Sequence, residues 1–142
     1  MPPAPQPTFA TLSRGDLLPT VDLTITTEDV QAYLEATGAS APRWWHYVPP
    51  LMLDARMLAI LLEQVELPPG LMHTGHEHEA RRPVHIGEPL VVQFSVASNA
   101  VRNGALFAVF DAEARAGDEV VSVLRASVMS PAAPAAADGG AA

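Results

Sequence analysis

The chain of 142 residues contains no cysteine, so disulfides and thiolate-bound metal sites are excluded outright. Positive charge is scarce: Lys+Arg number 8 against 16 Asp+Glu, for a formal net charge of −8. Arg81-Arg82 is the longest cationic cluster, and a phosphate-backbone partner leans on more than that. Nucleic acid is therefore not the expected partner. Long apolar runs are missing too. Residues 57–62, the most strongly apolar run, fall far short of the roughly 20 residues that span a bilayer. The N-terminus has no basic segment leading into an apolar one, so no secretory signal is visible. A cytoplasmic protein with no membrane partner is the expectation. Neither a Gly-rich phosphate loop nor a nucleophile elbow occurs, which leaves nucleotide-binding and serine-hydrolase readings without support.

The chain does have apolar mass, 49% hydrophobic residues against 17% charged, enough to bury a core at this length. Residues 1–7 carry four prolines, and residues 131–142 are dominated by Ala, Pro and Gly. Both segments are expected to be disordered, having little apolar surface to offset the entropy of ordering. That leaves residues 8–130 as a single domain. Thr27, Glu28 and Asp29 open a helix as a hydroxyl cap and two first-turn acids; Val30, Tyr33 and Leu34 follow at helical spacing, and Gly38 stops it. Residues 39–48 form a short irregular link carrying Trp44-Trp45-His46-Tyr47.

Residues 49–62 then read as one helix that is apolar nearly all round, interrupted only by Asp54 and Arg56. A surface helix keeps a polar face, so this one is expected to be surrounded by protein on most sides. From Leu71 the periodicity changes to two. Leu90, Val92, Phe94 and Val96 face one way, and Val91, Gln93, Ser95 and Ala97 the other. Asn103-Gly104 is a two-residue hairpin signal leading into a strand over residues 106–114. A turn at residues 116–118 leads to a strand over 120–129, and residues 71–80 are a fourth strand candidate. A short helix, a buried helix and a run of strands predict an α+β fold, a curved antiparallel sheet wrapped round one long helix.

Four segments carry a resemblance. They are Tyr33-Leu34-Glu35-Ala36-Thr37-Gly38, Val48-Pro49-Pro50-Leu51-Met52, Arg82-Pro83-Val84-His85-Ile86-Gly87-Glu88-Pro89-Leu90, and the final hairpin. Over nearly all of residues 8–130 the chain resembles hotdog-fold proteins, and among them the MaoC-like hydratase/dehydratase group. The Arg-Pro-x-x-x-Gly-Glu-x-Leu segment is the most specific piece. The resemblance implies a dimer whose two sheets join into one, and an acyl thioester of CoA or acyl-carrier protein as ligand; it implies no cofactor. MaoC-like hydratases carry an Asp and a His in a motif like Gly-Asp-x-Asn-Pro-x-His just after the first helix. Counting from Gly38, the Asp position here holds Ala39, the Asn position Ala41 and the His position Trp44, while Pro42 is retained. Alanine and indole transfer no protons, so the usual dyad is missing.

Three functions are compatible with that pattern. The first is a hydratase or dehydratase in which His46 and Asp54 replace the dyad, since related hotdog dehydratases use a His before the long helix and an acid on it, commonly from opposite protomers. The second is a non-catalytic MaoC-like subunit, in a heteromer with a catalytic partner. The third is a hotdog thioesterase in which Asp54 alone activates water, while backbone N–H groups of residues 51–53 polarise the carbonyl. Each candidate also has a plainer explanation. An acid in a first turn is favoured by the helix dipole and can pair with Arg56; His46 can simply pack among aromatics. Trp44, Trp45, Tyr47, Leu51 and Met52 can line an acyl pocket or bury at a dimer interface. Arg82 can anchor a CoA or carrier phosphate, or merely solvate a strand end. In the segment His73-Thr74-Gly75-His76-Glu77-His78-Glu79, strand alternation puts His76 and His78 on one face and His73, Glu77 and Glu79 on the other. A His-x-His pair with a third ligand such as His85 can hold zinc, but no complete ligand set is present and no metal is expected.

Overall fold

Thr26, one residue earlier than the sequence suggests, caps the first helix, α1 (Thr27–Thr37). Its hydroxyl accepts from the Asp29 N–H at 3.1 Å while the Asp29 carboxylate accepts from the Thr26 N–H at 2.9 Å. This reciprocal box satisfies two donors that a helix start leaves orphaned. Gly38 ends α1 in the left-handed region at φ +70° and donates its N–H to the Leu34 carbonyl, the usual use of glycine at that position.

In the computed structural model residues 6–131 are described. The segments expected to be disordered, 1–7 and 131–142, therefore lie outside the described residues except for Gln6, Pro7 and Pro131. Gln6 and Pro7 are tied to the end of the long helix. The Gln6 amide donates to the Glu63 carbonyl, and the Pro7 carbonyl accepts from the Glu66 N–H at 2.9 Å.

The long helix, α2 (Pro50–Gln64), starts at a proline, which has no N–H to leave unsatisfied. Met52, Leu53, Asp54, Met57, Ile60 and Leu61 are buried. The helix is covered less completely than its composition suggests. Leu51 is 66% exposed and Leu62 45% exposed, and Ala55 and Ala59 between them are also open. Residues 51, 55, 59 and 62 recur at helical spacing, so one apolar stripe of α2 has no cover among the described residues.

The sheet has five antiparallel strands in the order β1-β3-β4-β5-β2. They are β1 (Val21–Leu23), β2 (Met72–Ala80), β3 (Leu90–Arg102), β4 (Ala105–Ala116) and β5 (Glu119–Ser130). The hairpin at Asn103-Gly104 has positive φ at both residues, +52° and +80°, which matches the strand twist. The inner face of the sheet presents Val92, Phe94, Phe110, Ala114 and Val121, each fully buried, in one core with Met57 of α2. The four strands expected from periodicity are present. Short β1 is an addition, pairing with β3 through Val21, Asp22 and Leu23. Strand β2 lies at the outer edge and pairs only with β5, which leaves a row of backbone donors and acceptors open. Among the described residues no helix is long and apolar enough to cross a membrane.

Candidate functional site

Burial of α2 puts its acid where charge is costly. Asp54 is only 8% exposed, and a carboxylate so placed requires a partner. The partner is His76 on the edge strand β2, whose Nε2 lies 2.6 Å from Asp54 Oδ2. The other carboxylate oxygen, Oδ1, is buried without a hydrogen-bond partner among the described residues. One oxygen is thus fixed and the other remains able to accept. An ionised carboxylate only accepts, so with Asp54 ionised the hydrogen between the two belongs to Nε2 of His76. The expected alternative partner, Arg56, instead faces Asp29 at 3.7 Å.

His76 is held from its other side as well. Its Nδ1 lies 3.2 Å from Nε2 of His73, and the two rings meet edge to face at 5.1 Å and 83°. Regular alternation puts residues 73 and 76 on opposite faces, so this contact corrects the expectation. The cause is a β-bulge. His73 pairs with Val128 and Gly75 with Ser127, which leaves Thr74 as an extra residue, its hydroxyl donating to the Ser127 carbonyl at 3.2 Å. Counted along the ladder, His73 and His76 are two positions apart and share a face. His78 does face the same way as His76, as alternation predicts, but its Nε2 lies 3.0 Å from Ser122 Oγ. The two rings therefore serve different partners. No group of three or more His, Asp or Glu among the described residues is arranged to hold a metal ion.

Arg82 is not a free anchor. Its Nη1 and Nη2 donate to the two Glu88 oxygens at 3.1 and 2.7 Å, its Nε donates to Glu119 at 3.0 Å, and Nη1 also reaches the Pro83 carbonyl. The bonds to Glu88, followed by the one to Glu119, raise the guanidinium pKa still further. In return the Arg82 guanidinium holds the Glu88 carboxyl below its ordinary value. Gly87, at φ +86°, donates its N–H to the Ile25 carbonyl and turns the chain so that Glu88 meets Arg82. The Arg-Pro-x-x-x-Gly-Glu segment thus closes a loop, with a bidentate pair as its clasp.

No family profile and no curated protein matches the chain. Solved structures do. The (R)-hydratase from A. caviae involved in PHA biosynthesis superposes with a TM-score of 0.67 at 16% identity, over 83% of this chain and 96% of that one. The monoamine oxidase regulatory protein from Archaeoglobus gives 0.74 at 15% identity, over 92% and 99%. The HadBC (3R-hydroxyacyl-ACP dehydratase) complex from Mycobacterium tuberculosis gives 0.67 at 17% identity, over 84% and 98%. This chain has the hotdog fold.

On that hotdog scaffold the remaining candidates occupy distinct places. Ala39 and Ala41 line a shallow cleft of about 260 Å³ with Gln31, Leu34 and Glu35. Trp44 is half-buried against the core and Trp45 is 68% exposed. His46 is exposed, and its carbonyl accepts from the Ile86 N–H at 3.0 Å. Tyr47 bridges to His85, with the rings 4.9 Å apart, and the Val48 N–H donates to Val84. Residues 46–48 therefore run along the 84–86 loop, and the chain does not bring His46 to its own Asp54. Met52 is a core residue, while Leu51 points outward. The N–H groups of Met52 and Leu53 both donate to the Pro49 carbonyl, at 3.0 and 3.1 Å. Of the backbone donors expected at the helix start, only the Leu51 N–H is outside these bonds.

A groove of about 470 Å³ lies on the other face of the sheet, lined by Glu77, Glu79, Arg81, Asp111, Glu113 and Arg125. Its arginines are already paired, Arg81 with Glu79 and Arg125 with Asp111. The buried polar contact of α2 is thus Asp54 with His76, of which the sequence singles out Asp54 as a candidate. The acid stood out on an apolar helix. His76 was visible only as one member of a His-rich strand.

Proposed function

We propose that this hotdog protein acts on an acyl thioester, of CoA or of an acyl-carrier protein, by adding or removing water. Asp54 and His76 serve as the acid–base pair in place of the absent dyad. One observation carries the reading: a buried carboxylate with one oxygen bound to an imidazole at 2.6 Å and the other oxygen unpartnered. In the hydration direction Asp54 Oδ1 accepts a proton from water as its oxygen bonds to Cβ of the enoyl thioester. The pair then returns one proton to Cα, so that H and OH are added in balance. The Leu51 N–H is the backbone donor available for the thioester carbonyl as negative charge develops.

Two open surfaces support an assembly. The β2 edge and the uncovered stripe Leu51-Ala55-Ala59-Leu62 present unpaired backbone groups and apolar area, which call for a partner chain. We place a second copy or a MaoC-like catalytic subunit there. The second case supports a non-catalytic role, which Ala39, Ala41 and Trp44 favour by withholding the usual proton-transfer groups.

Turnover of enoyl-, 3-hydroxyacyl- and saturated acyl-CoA thioesters, with carrier-protein counterparts, separates these readings. Hydration or dehydration that disappears in both Asp54→Asn and His76→Gln supports the proposed pair. Thiol release that needs Asp54 and not His76 assigns a thioesterase. Activity that appears only with an added MaoC-like subunit, and survives both substitutions, assigns the non-catalytic role.

A further inference from the structure

The bulge in β2 does something that the Asp54–His76 pair alone does not require. An extra residue interrupts the ladder on an edge strand, and its effect is to turn His73 onto the face of His76. Local disruption of a ladder costs pairing, and bulges of this kind re-aim side chains next to sites. Behind the bulge Gly75 sits against Ser127, whose Cβ and Oγ lie 3.4 and 3.5 Å from where a Cβ would stand.

The result is a line of donors and acceptors from the interior to the surface. Asp54 Oδ2 meets His76 Nε2 at 2.6 Å, and His76 Nδ1 meets His73 Nε2 at 3.2 Å. Asp54 is buried, His76 has 24% of its side chain exposed, and His73 is exposed. Each imidazole offers two nitrogens, and in the neutral ring one donates while the other accepts. With Nε2 of His76 donating to Asp54, Nδ1 of a neutral His76 must accept, and the donor is Nε2–H of His73.

We propose that His73 is the positioning residue of this site, selecting the His76 tautomer. The inference rests on the reading of Asp54 and His76 as an acid–base pair. Within one turnover the pair takes one proton and returns one, so the part of His73 is to hold the His76 ring in one tautomer, with Nε2–H on Asp54 and Nδ1 accepting from His73.

The test has two arms. In the first, long-range ¹H–¹⁵N spectra of the full-length protein read both ring nitrogens of His76 in wild type, His73→Phe and His73→Gln. The expected wild-type state is hydrogen on Nε2 and a hydrogen-bonded acceptor at Nδ1. His73→Phe shifts the Nδ1 resonance, and His73→Gln, which still offers an N–H, largely restores it. Unchanged His76 resonances in a folded His73→Phe overturn the proposal. In the second arm, His73→Phe lowers kcat on the active thioester about tenfold, a modest part of the range for general acid–base assistance, with KM unchanged, and His73→Gln keeps most of the rate. Equal losses in His73→Phe and His73→Gln overturn the positioning role. If no thioester is turned over, the functional reading fails by itself, and the spectra still decide whether His73 sets the His76 tautomer.

Discussion

Asp54 and His76 stand 22 residues apart in the chain and share a hydrogen bond of 2.6 Å. The bond joins the one acid of an otherwise apolar helix segment to the open edge strand of the sheet. Helix and sheet are already joined by a large core through Met57, Leu53 and Ile60, so their packing has no need of a polar pair. Placing a carboxylate at such a contact costs desolvation, and an apolar side chain of similar size is often neutral or better there. The pair is therefore explained by chemistry more readily than by stability.

That difference is measurable. Asp54→Asn keeps the shape and a hydrogen-bonding oxygen but loses the base, and it is expected to lower kcat by about 100-fold or more. Asp54→Leu is expected to abolish turnover and to leave the thermal midpoint unchanged or higher. His76 is then left with a partly exposed ring, which water can serve in place of the carboxylate. A loss of more than about 3 kcal/mol in unfolding free energy for Asp54→Leu marks the pair as structural instead.

The Arg82 clasp predicts the opposite pattern. Its nitrogens are engaged by Glu88, Glu119 and the Pro83 carbonyl, so Arg82→Gln is expected to lower stability and leave KM for the CoA portion unchanged. Arg82 holds the Glu88 carboxyl below its ordinary 4.5, which means that the ionised form is favoured in the folded state. The stabilisation is fully present above about pH 4.5, the unfolded value, and is lost as pH falls through the lower folded value. Unfolding midpoints measured between pH 7 and pH 3 should fall less steeply for Glu88→Gln than for wild type over that acid range. Parallel curves refute the clasp.

His46 gives a sharper contrast with His76. Its ring is exposed, and its backbone is bound to Ile86. His46→Ala is expected to keep turnover close to wild type where His76→Gln loses it. If His46→Ala proves as damaging as Asp54→Asn, the His of the site comes from His46, necessarily across a protomer boundary.

Much of the fold is legible locally, because it depends on neighbours in the chain. The apolar run of α2, the alternation of Leu90, Val92, Phe94 and Val96, and the Asn103-Gly104 turn each encode their element within a few residues. What escaped depends on partners far away. Strand β1 has three residues, too few for periodicity to show, and exists because β3 offers it a ladder. The place of His73 depends on how β2 and β5 align around Thr74, which alternation along one strand cannot reveal. The sequence leaves Arg82 open between a phosphate anchor and a solvated strand end, because Glu119 lies 37 residues away, although Glu88 stands six residues away. Asp54 is legible as a candidate because an acid on such a helix is conspicuous. Its partner was not, because β2 reaches the helix only once the sheet has formed.

The same helix carries the last prediction. Leu51 and Leu62 are the exposed ends of the apolar stripe on α2, and β2 beside the buried face of that helix has an unpaired edge. If a partner chain covers both, charge on the stripe must be desolvated at the interface, a cost of several kcal/mol for an unpaired ion, whereas in an isolated chain the same charge faces water. Leu62→Glu and Leu51→Asp should therefore fold, since neither position is in the core. In light scattering at matched concentration they should shift the protein from dimer to monomer. A shared site also makes turnover fall with the dimer, so activity and mass should decline together across a dilution series. A wild-type protein that is monomeric at all concentrations, with Leu62→Glu indistinguishable from it, leaves the stripe uncovered and removes the assembly from the proposal.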